Sequence, residues 1–577
     1  SIVAYFFVMS ILPNWLGTLR QNPKLISNDL MAGLMMAVLV IPQSLGYAAL
    51  AGLPPIMGLY ASIVPTLVYA YLGASSINAV GPVAITAIMT SSALSGYATG
   101  SVQYVILSIT LAMMVGGILC LASILRLGWI MQFVSRGVSS GFISAAAVLI
   151  VISQLKNLIG APITGGSLID IISSLSSTPV TIKPYTALLG VGALMILLIN
   201  RYVDALWAWL PKVRADFAKR LVVIIVTILS IILATRLGWA ALDIRLLEPL
   251  PTGLPTFKFL PLSFGTLLDL LPSALLIALI AFISSSAIAS NYARIHQQPF
   301  DNNKELLGLG FANIASSVTG GFTVAGGLSR TSLNISLGAK TPFASIVCAL
   351  GILFILLFFG QYLAGLPYAV LSAIIVSSVL SMIDIQTLKT ALKHDKADAL
   401  CLVLCFGAAI IFGLNIGLVV GLLVSFALMI YRSHRVNIAI LGQLGNSEHF
   451  RDISRHKATT FDNLLMVRID ESLYFGNALT IHETLRKLYY EHPKATEVIL
   501  IMTAVNHIDL TAQEMLSSFN QEIQSQGRRL HLAEVKGPAM DILKGSDLFK
   551  HLSGEVFLST KLAVDKLKYQ GDDWCGM

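Results

Sequence analysis

The sequence predicts a polytopic α-helical membrane protein followed by a small α/β domain. Three observations carry this. The 577 residues are 55% apolar and only 12% charged, about half the charge of soluble chains, with a mean hydropathy of +0.78. From Leu30 to Leu125 there is no Asp, Glu, Lys or Arg, a run that a bilayer requires and a soluble surface excludes. After about residue 463 the pattern changes to strand-like runs alternating with amphipathic stretches.

The opening "SIVAYFFVMSILPNWLGTLR" is apolar but lacks a basic n-region and a cleavage site. Residues 1–28 are therefore expected to be a pre-membrane segment and not a signal peptide. Residues 29–436 form the transmembrane domain. Apolar runs place fourteen spans near 30–51, 54–72, 82–98, 102–125, 133–155, 184–200, 219–235, 266–290, 305–319, 329–339, 343–365, 367–383, 398–413 and 415–431. The five cysteines are scattered, mostly in apolar runs. They read as buried small hydrophobes, with neither a disulfide framework nor a zinc pattern.

Arg126, Arg136, Arg201, Lys212, Arg214, Lys219, Arg220, Lys389, Lys393, Lys396, Arg432 and Arg435 all fall in loops on one side of this span order. The positive-inside rule makes that side cytoplasmic and puts both termini there, in an inner or plasma membrane. The net charge of +8 is then explained by topology and anionic lipid, not by nucleic acid.

Fourteen spans divide into two sevens, and a short interrupted segment lies third in each half. One begins "GPVAITAIM" (Gly81–Met89) and the other "GGLSRTSLN" (Gly326–Asn334). Gly and Pro ahead of an apolar run mark a helix start preceded by extended chain. Paired discontinuous helices at matching positions point to a transporter site at the bilayer midplane, where two helix N-termini aim N–H groups at an anion. The competing reading is that these small residues only allow close helix packing.

Arg330 is the only formal charge between Glu305 and Lys340. Burying it in a span costs roughly 2.5–3.5 kcal/mol on insertion scales. It falls in the first turn of its half-helix, where a cation opposes the helix dipole unless an anion or carboxylate sits in front. A pairing with Glu305 or snorkelling to the interface is the alternative. No His, Cys or carboxylate constellation converges in the spans, so an enzyme, a cofactor and a metal site are not expected.

"IPQSLGYAALAGLPPIMGLYAS" (Ile41–Ser62), "VGPVAITAIM" and "NKELLGLGFANIASSVTGGFTVAGGLSRTSLN" resemble the SulP sulfate-permease family of anion transporters. The resemblance runs over nearly the whole chain, from about Pro13 to about Leu567. It implies a seven-plus-seven inverted repeat with core and gate domains, a fold shared with uracil permeases and bicarbonate exchangers, and a homodimer. By motif position it implies anion contacts from Gln43 and Tyr47, from Val83 and Ala84 through backbone, and from Ser329 and Arg330. Gln43 and Tyr47, four residues apart, share a helix face, and both need partners in an apolar segment. Many members carry an acid in span 8; here the stretch is "AFISSSAIAS", and Ser284 stands at that position. A serine carries no charge, so proton coupling through it is in doubt, while its hydroxyl remains a candidate anion contact.

Residues 437–462 read as a polar connector, 463–570 as the α/β domain and 571–577 as a tail. The α/β domain resembles a STAS domain, the module of anti-sigma-factor antagonists. In "VNHIDLTAQEML", Asp509 is followed by Leu510 where antagonists present a phosphorylatable Ser, so Asp509 or Thr511 is expected to cap a helix. A cytoplasmic protein partner for this domain is expected. The function implied is secondary active transport of sulfate or a similar small oxyanion by alternating access. Bicarbonate or dicarboxylate transport, or an anion-sensing receptor signalling through the STAS domain, are the rivals.

Overall fold

The computed structural model describes residues 14–568 except 134, 162–166, 178–181, 204–206, 208–211, 252, 254–263, 296 and 446. The expected tail and the first part of the pre-membrane segment lie outside the described residues. Each expected span coincides with a helix. These are α1 (Lys24–Leu50), α2 (Ile56–Leu72), α3 (Ala84–Ala93), α4 (Val102–Ile124), α5 (Arg136–Leu158), α6 (Pro184–Tyr202) and α7 (Lys212–Arg236). The second half holds α8 (Phe264–Ile295), α9 (Asn302–Val318), α10 (Leu328–Ser336), α11 (Phe343–Phe359), α12 (Tyr368–Val379), α13 (Lys396–Phe412) and α14 (Leu414–His434). Helix α1 starts inside the expected pre-membrane segment. Further helices at Asn14–Gln21, Leu168–Ser177 and Ile385–His394 were not anticipated, because their apolar residues occupy one face and do not form a continuous run.

Packing sorts the spans into two groups. Helices α1, α2, α4, α8, α9 and α11 pack on one another, and α3 and α10 lie against α1 and α8. Helices α5, α6, α12 and α13 make the second group. Close backbone approach drives both. A Cβ on Gly58 of α2 would lie 1.9 Å from the Ser44 carbonyl oxygen of α1, and one on Gly141 of α5 would lie 2.5 Å from that of Leu402 in α13. In lipid, where no hydrophobic force separates helices from solvent, such small-residue contacts supply the packing energy.

Residues 1–425 form one compact unit and 426–577 a second. Within the second, six strands are ordered β4-β3-β5-β6-β7-β8: β3 (Ile438–Gln443), β4 (Phe450–Asp452), β5 (Leu464–Ile469), β6 (Glu497–Ile501), β7 (Arg529–Ala533) and β8 (Val556–Phe557). Strands β5 to β8 are parallel, and β3 runs antiparallel to both its neighbours. Leu465, Val467, Val498 and Leu500 face one buried cluster, and Leu464, Met466, Ile499 and Ile501 face the other. Both faces are covered, which is why these strands read as unbroken apolar runs. The connector expected at 437–462 is corrected: it contains β3 and β4. Strand β3, "IAILGQ", is mostly buried but follows directly on the charged end of the last span, and β4, "FRD", is only 3 residues long, so neither stood out as a separate strand. Asp509 caps the helix Leu510–Ser525, accepting from Ala512 N at 2.9 Å.

Candidate functional site

The two short spans are positioned by their preceding chain. Strand β1 (Val80–Gly81) pairs antiparallel with β2 (Ala325–Gly326), Val80 opposite Gly326 and Gly81 opposite Ala325. Each strand feeds directly into a helix: α3 after extended Val83 (φ −131°, ψ 154°) and α10 after extended Gly327 (φ −102°, ψ 124°). Neither cap residue offers a side chain to the first-turn N–H groups. At about 1.5 Å per residue, helices of 10 and 9 residues reach about half of a hydrocarbon core. The strand pair thus sets two uncapped helix N-termini side by side.

Arg330, buried at 4% exposure, crosses from α10 to the first two helices. Its Nη2 donates to Ser44 Oγ at 2.6 Å and Ser62 Oγ at 3.2 Å. The two hydroxyls are 2.9 Å apart and bond back to Val40 O and Gly58 O. The guanidinium lies against the backbone of β1, where a Cβ on Gly81 would fall 1.9 Å from Nη1. No carboxylate forms an ion pair with it among the described residues. Glu305, the alternative partner considered from sequence, is fully buried elsewhere. It accepts from Tyr69 Oη at 2.7 Å, Asn78 Nδ2 at 3.1 Å and Ala74 N at 3.4 Å. The positive charge is left without a negative one.

A polar brace holds this arrangement. Asn78 Oδ1 accepts from Thr331 Oγ1 at 3.1 Å, Thr331 Oγ1 accepts from Ala79 N at 3.1 Å, and Asn334 Nδ2 donates to Ile77 O at 2.9 Å. Asn78, Thr331 and Asn334 were missed from sequence, and Glu305 was considered there only as a partner for Arg330, although polar residues interrupting apolar runs were the available signal. Glu305→Gln should lower the thermal unfolding midpoint in detergent. One carboxylate oxygen accepts from Asn78 Nδ2 and the other from Tyr69 Oη and Ala74 N, so either orientation of the Gln amide sets its NH2 against a donor, a cost of about 1–3 kcal/mol. An unchanged midpoint would contradict the brace.

A cavity of about 640 Å³ lies between the two helix groups. Of the residues expected at the site, Gln43 and Ser329 line it, and Ser329 Oγ is 3.2 Å from Ser378 Oγ. Gln43 Oε1 is buried without a partner. Tyr47, one turn further along α1, is buried beside Ser378 and Arg330. Val83 packs on Gly327, and Ala84 opens α3. Ser284 is set apart: its hydroxyl bonds to Ala281 O of its own helix at 3.2 Å, and it does not line the cavity. Its neighbour Ser285 meets the site, accepting from Gly326 N of β2 at 2.6 Å. Successive residues turn about 100° on a helix, so sequence position alone could not choose between them.

Residues 26–405 match the sulfate permease family and residues 456–563 the STAS domain. The chain belongs to the sulfate permease family. The permease is 34% identical to sulfate transporter 4.1, chloroplastic, of Arabidopsis thaliana, over 92% of this chain and 77% of the relative. It is 30% identical to sulfate transporter 3.1 of the same plant, over 95% and 86%. Its fold matches the murine Slc26a9 anion transporter in the inward-facing state, with a TM-score of 0.86 at 21% identity over 97% of this chain and 94% of that one. The permease is thus a multi-pass membrane protein with a C-terminal STAS domain.

Proposed function

We propose that this permease is a secondary active transporter of small inorganic oxyanions, sulfate foremost, working by alternating access. The observation that carries the reading is the buried, unpaired Arg330 at two uncapped helix N-termini. Dipole ends and guanidinium add to one positive locus, and its natural complement is an anion. The relatives named as sulfate transporters support sulfate. The cavity lies between two helix groups, the arrangement expected when a core moves past a gate. A homodimer in an inner or plasma membrane, with cytoplasmic termini, follows from the family resemblance and the basic loops.

The test is uptake by purified protein in liposomes, with sulfate set against bicarbonate and dicarboxylates and with pH and sodium gradients imposed separately. Saturable sulfate flux is expected. Binding without flux would instead identify a receptor. With Ser284 uncharged, an inward proton gradient should accelerate uptake only weakly, and exchange against internal anion should dominate. Strong proton stimulation would overturn that part and direct attention to a buried acid such as Glu305.

A further inference from the structure

We propose that Arg201 is a second, outer positive charge on the anion's route, recruiting the anion into the cavity that ends at Gln43 and Ser329. The inference rests on reading that cavity as the anion pathway. In the sequence Arg201 reads as one of many loop cations that set topology. In the structure it sits at the end of α6, half-buried, on the wall of the same cavity. Among the described residues it is the sole charged one on that wall, and none of the Asp or Glu residues among them lines the cavity.

The wall that Arg201 shares with the helix starts mixes serine hydroxyls with apolar side chains such as Leu197, Leu328 and Ile374. Ser329, Ser332 and Ser336 of α10, spaced three and four apart, share one helix face and line the cavity, and Ser378 and Ser381 line it from the α12 side. Serine hydroxyls can donate to an oxyanion losing its water without adding a fixed charge that would trap it. A cation on the wall of a cavity with low-dielectric sides raises the local anion concentration. The route therefore has a charge at each end, Arg201 at the end of α6 and Arg330 behind the helix starts, with neutral donors between. Arg201 also donates to Ser377 O of α12, which is the purely structural role its removal must be distinguished from.

The experiment is initial-rate sulfate uptake in liposomes by wild type, Arg201→Gln and Arg201→Lys, at low and high ionic strength set with N-methylglucamine gluconate. Arg201→Gln should raise KM about fivefold at low ionic strength and leave Vmax within about twofold; Arg201→Lys should restore KM. Wild-type KM should rise with ionic strength and that of Arg201→Gln should not. A normal KM in Arg201→Gln, or a Vmax loss that Arg201→Lys leaves unrepaired, overturns the proposal. Should Arg201→Gln fail to fold, exposed Ser381 decides: Ser381→Asp must raise KM and Ser381→Lys lower it, and no change in either refutes the outer charge. Absence of sulfate flux in wild type would sink the transport reading itself, a different result from wild-type flux with an indifferent Arg201.

Discussion

Arg330→Ala abolishes anion uptake by the reconstituted permease while leaving it folded and inserted. The expected loss in Vmax/KM is about 10²-fold or more, the scale of removing a buried charged partner from a complex. Folding survives because the residues left behind remain satisfied. Ser44 and Ser62 can each still donate, to Val40 O and Gly58 O or one to the other, so no buried hydroxyl is orphaned. The desolvation cost of an unpaired guanidinium also disappears. Arg330→Lys should recover only part of the activity, since an ammonium lacks the planar fork and presents a point charge on a flexible stem. Wild-type uptake by Arg330→Ala would show that the charge serves no anion.

Gly81→Ala should come close to the same loss without touching a charge. The added methyl would sit 1.9 Å from Nη1 and 3.0 Å from Cζ of Arg330, far inside contact distance. The pairing of Gly81 with Ala325 prevents the strand from giving way, so the guanidinium must leave its position. The informative comparison is the double variant. If Gly81→Ala acts by displacing Arg330, the pair should transport no worse than Arg330→Ala alone, the non-additivity expected of residues in contact. Gly96, beside which a Cβ would meet nothing within 4 Å, is the control: Gly96→Ala should transport normally. Full activity in Gly81→Ala would mean that the arginine's position is immaterial.

What was legible in the sequence follows from which forces leave a one-dimensional trace. Each span could be placed because the bilayer imposes a long apolar run whatever the tertiary packing. The two half-helices were legible because a helix start in mid-membrane needs Gly or Pro, and "GP" and "GG" stand out in apolar surroundings. Strands β3 and β4 were not, since β3 pairs with β5 across an intervening stretch of chain and β4 pairs only with β3, through a handful of residues. The choice between Ser284 and Ser285 turned on a helix rotation fixed only by packing. Arg201 was hidden differently: topology explains loop cations so well that the sequence offers no reason to single one out. Arg330 itself was found, but its partners were not, because Ser44, Ser62 and Gly81 are unremarkable residues until the chain brings them together.

The anion is expected to occupy the cavity end of the paired helix starts, and Ser329 is the residue there that can report on it. Ser329→Cys, in a background with the native cysteines replaced, can be labelled with a negatively charged thiol reagent. Sulfate at tenfold over its half-saturating concentration should slow labelling about tenfold, and adding Arg330→Ala should remove that protection. Equal labelling rates with and without sulfate, in Ser329→Cys protein that still takes sulfate up, would place the anion somewhere else.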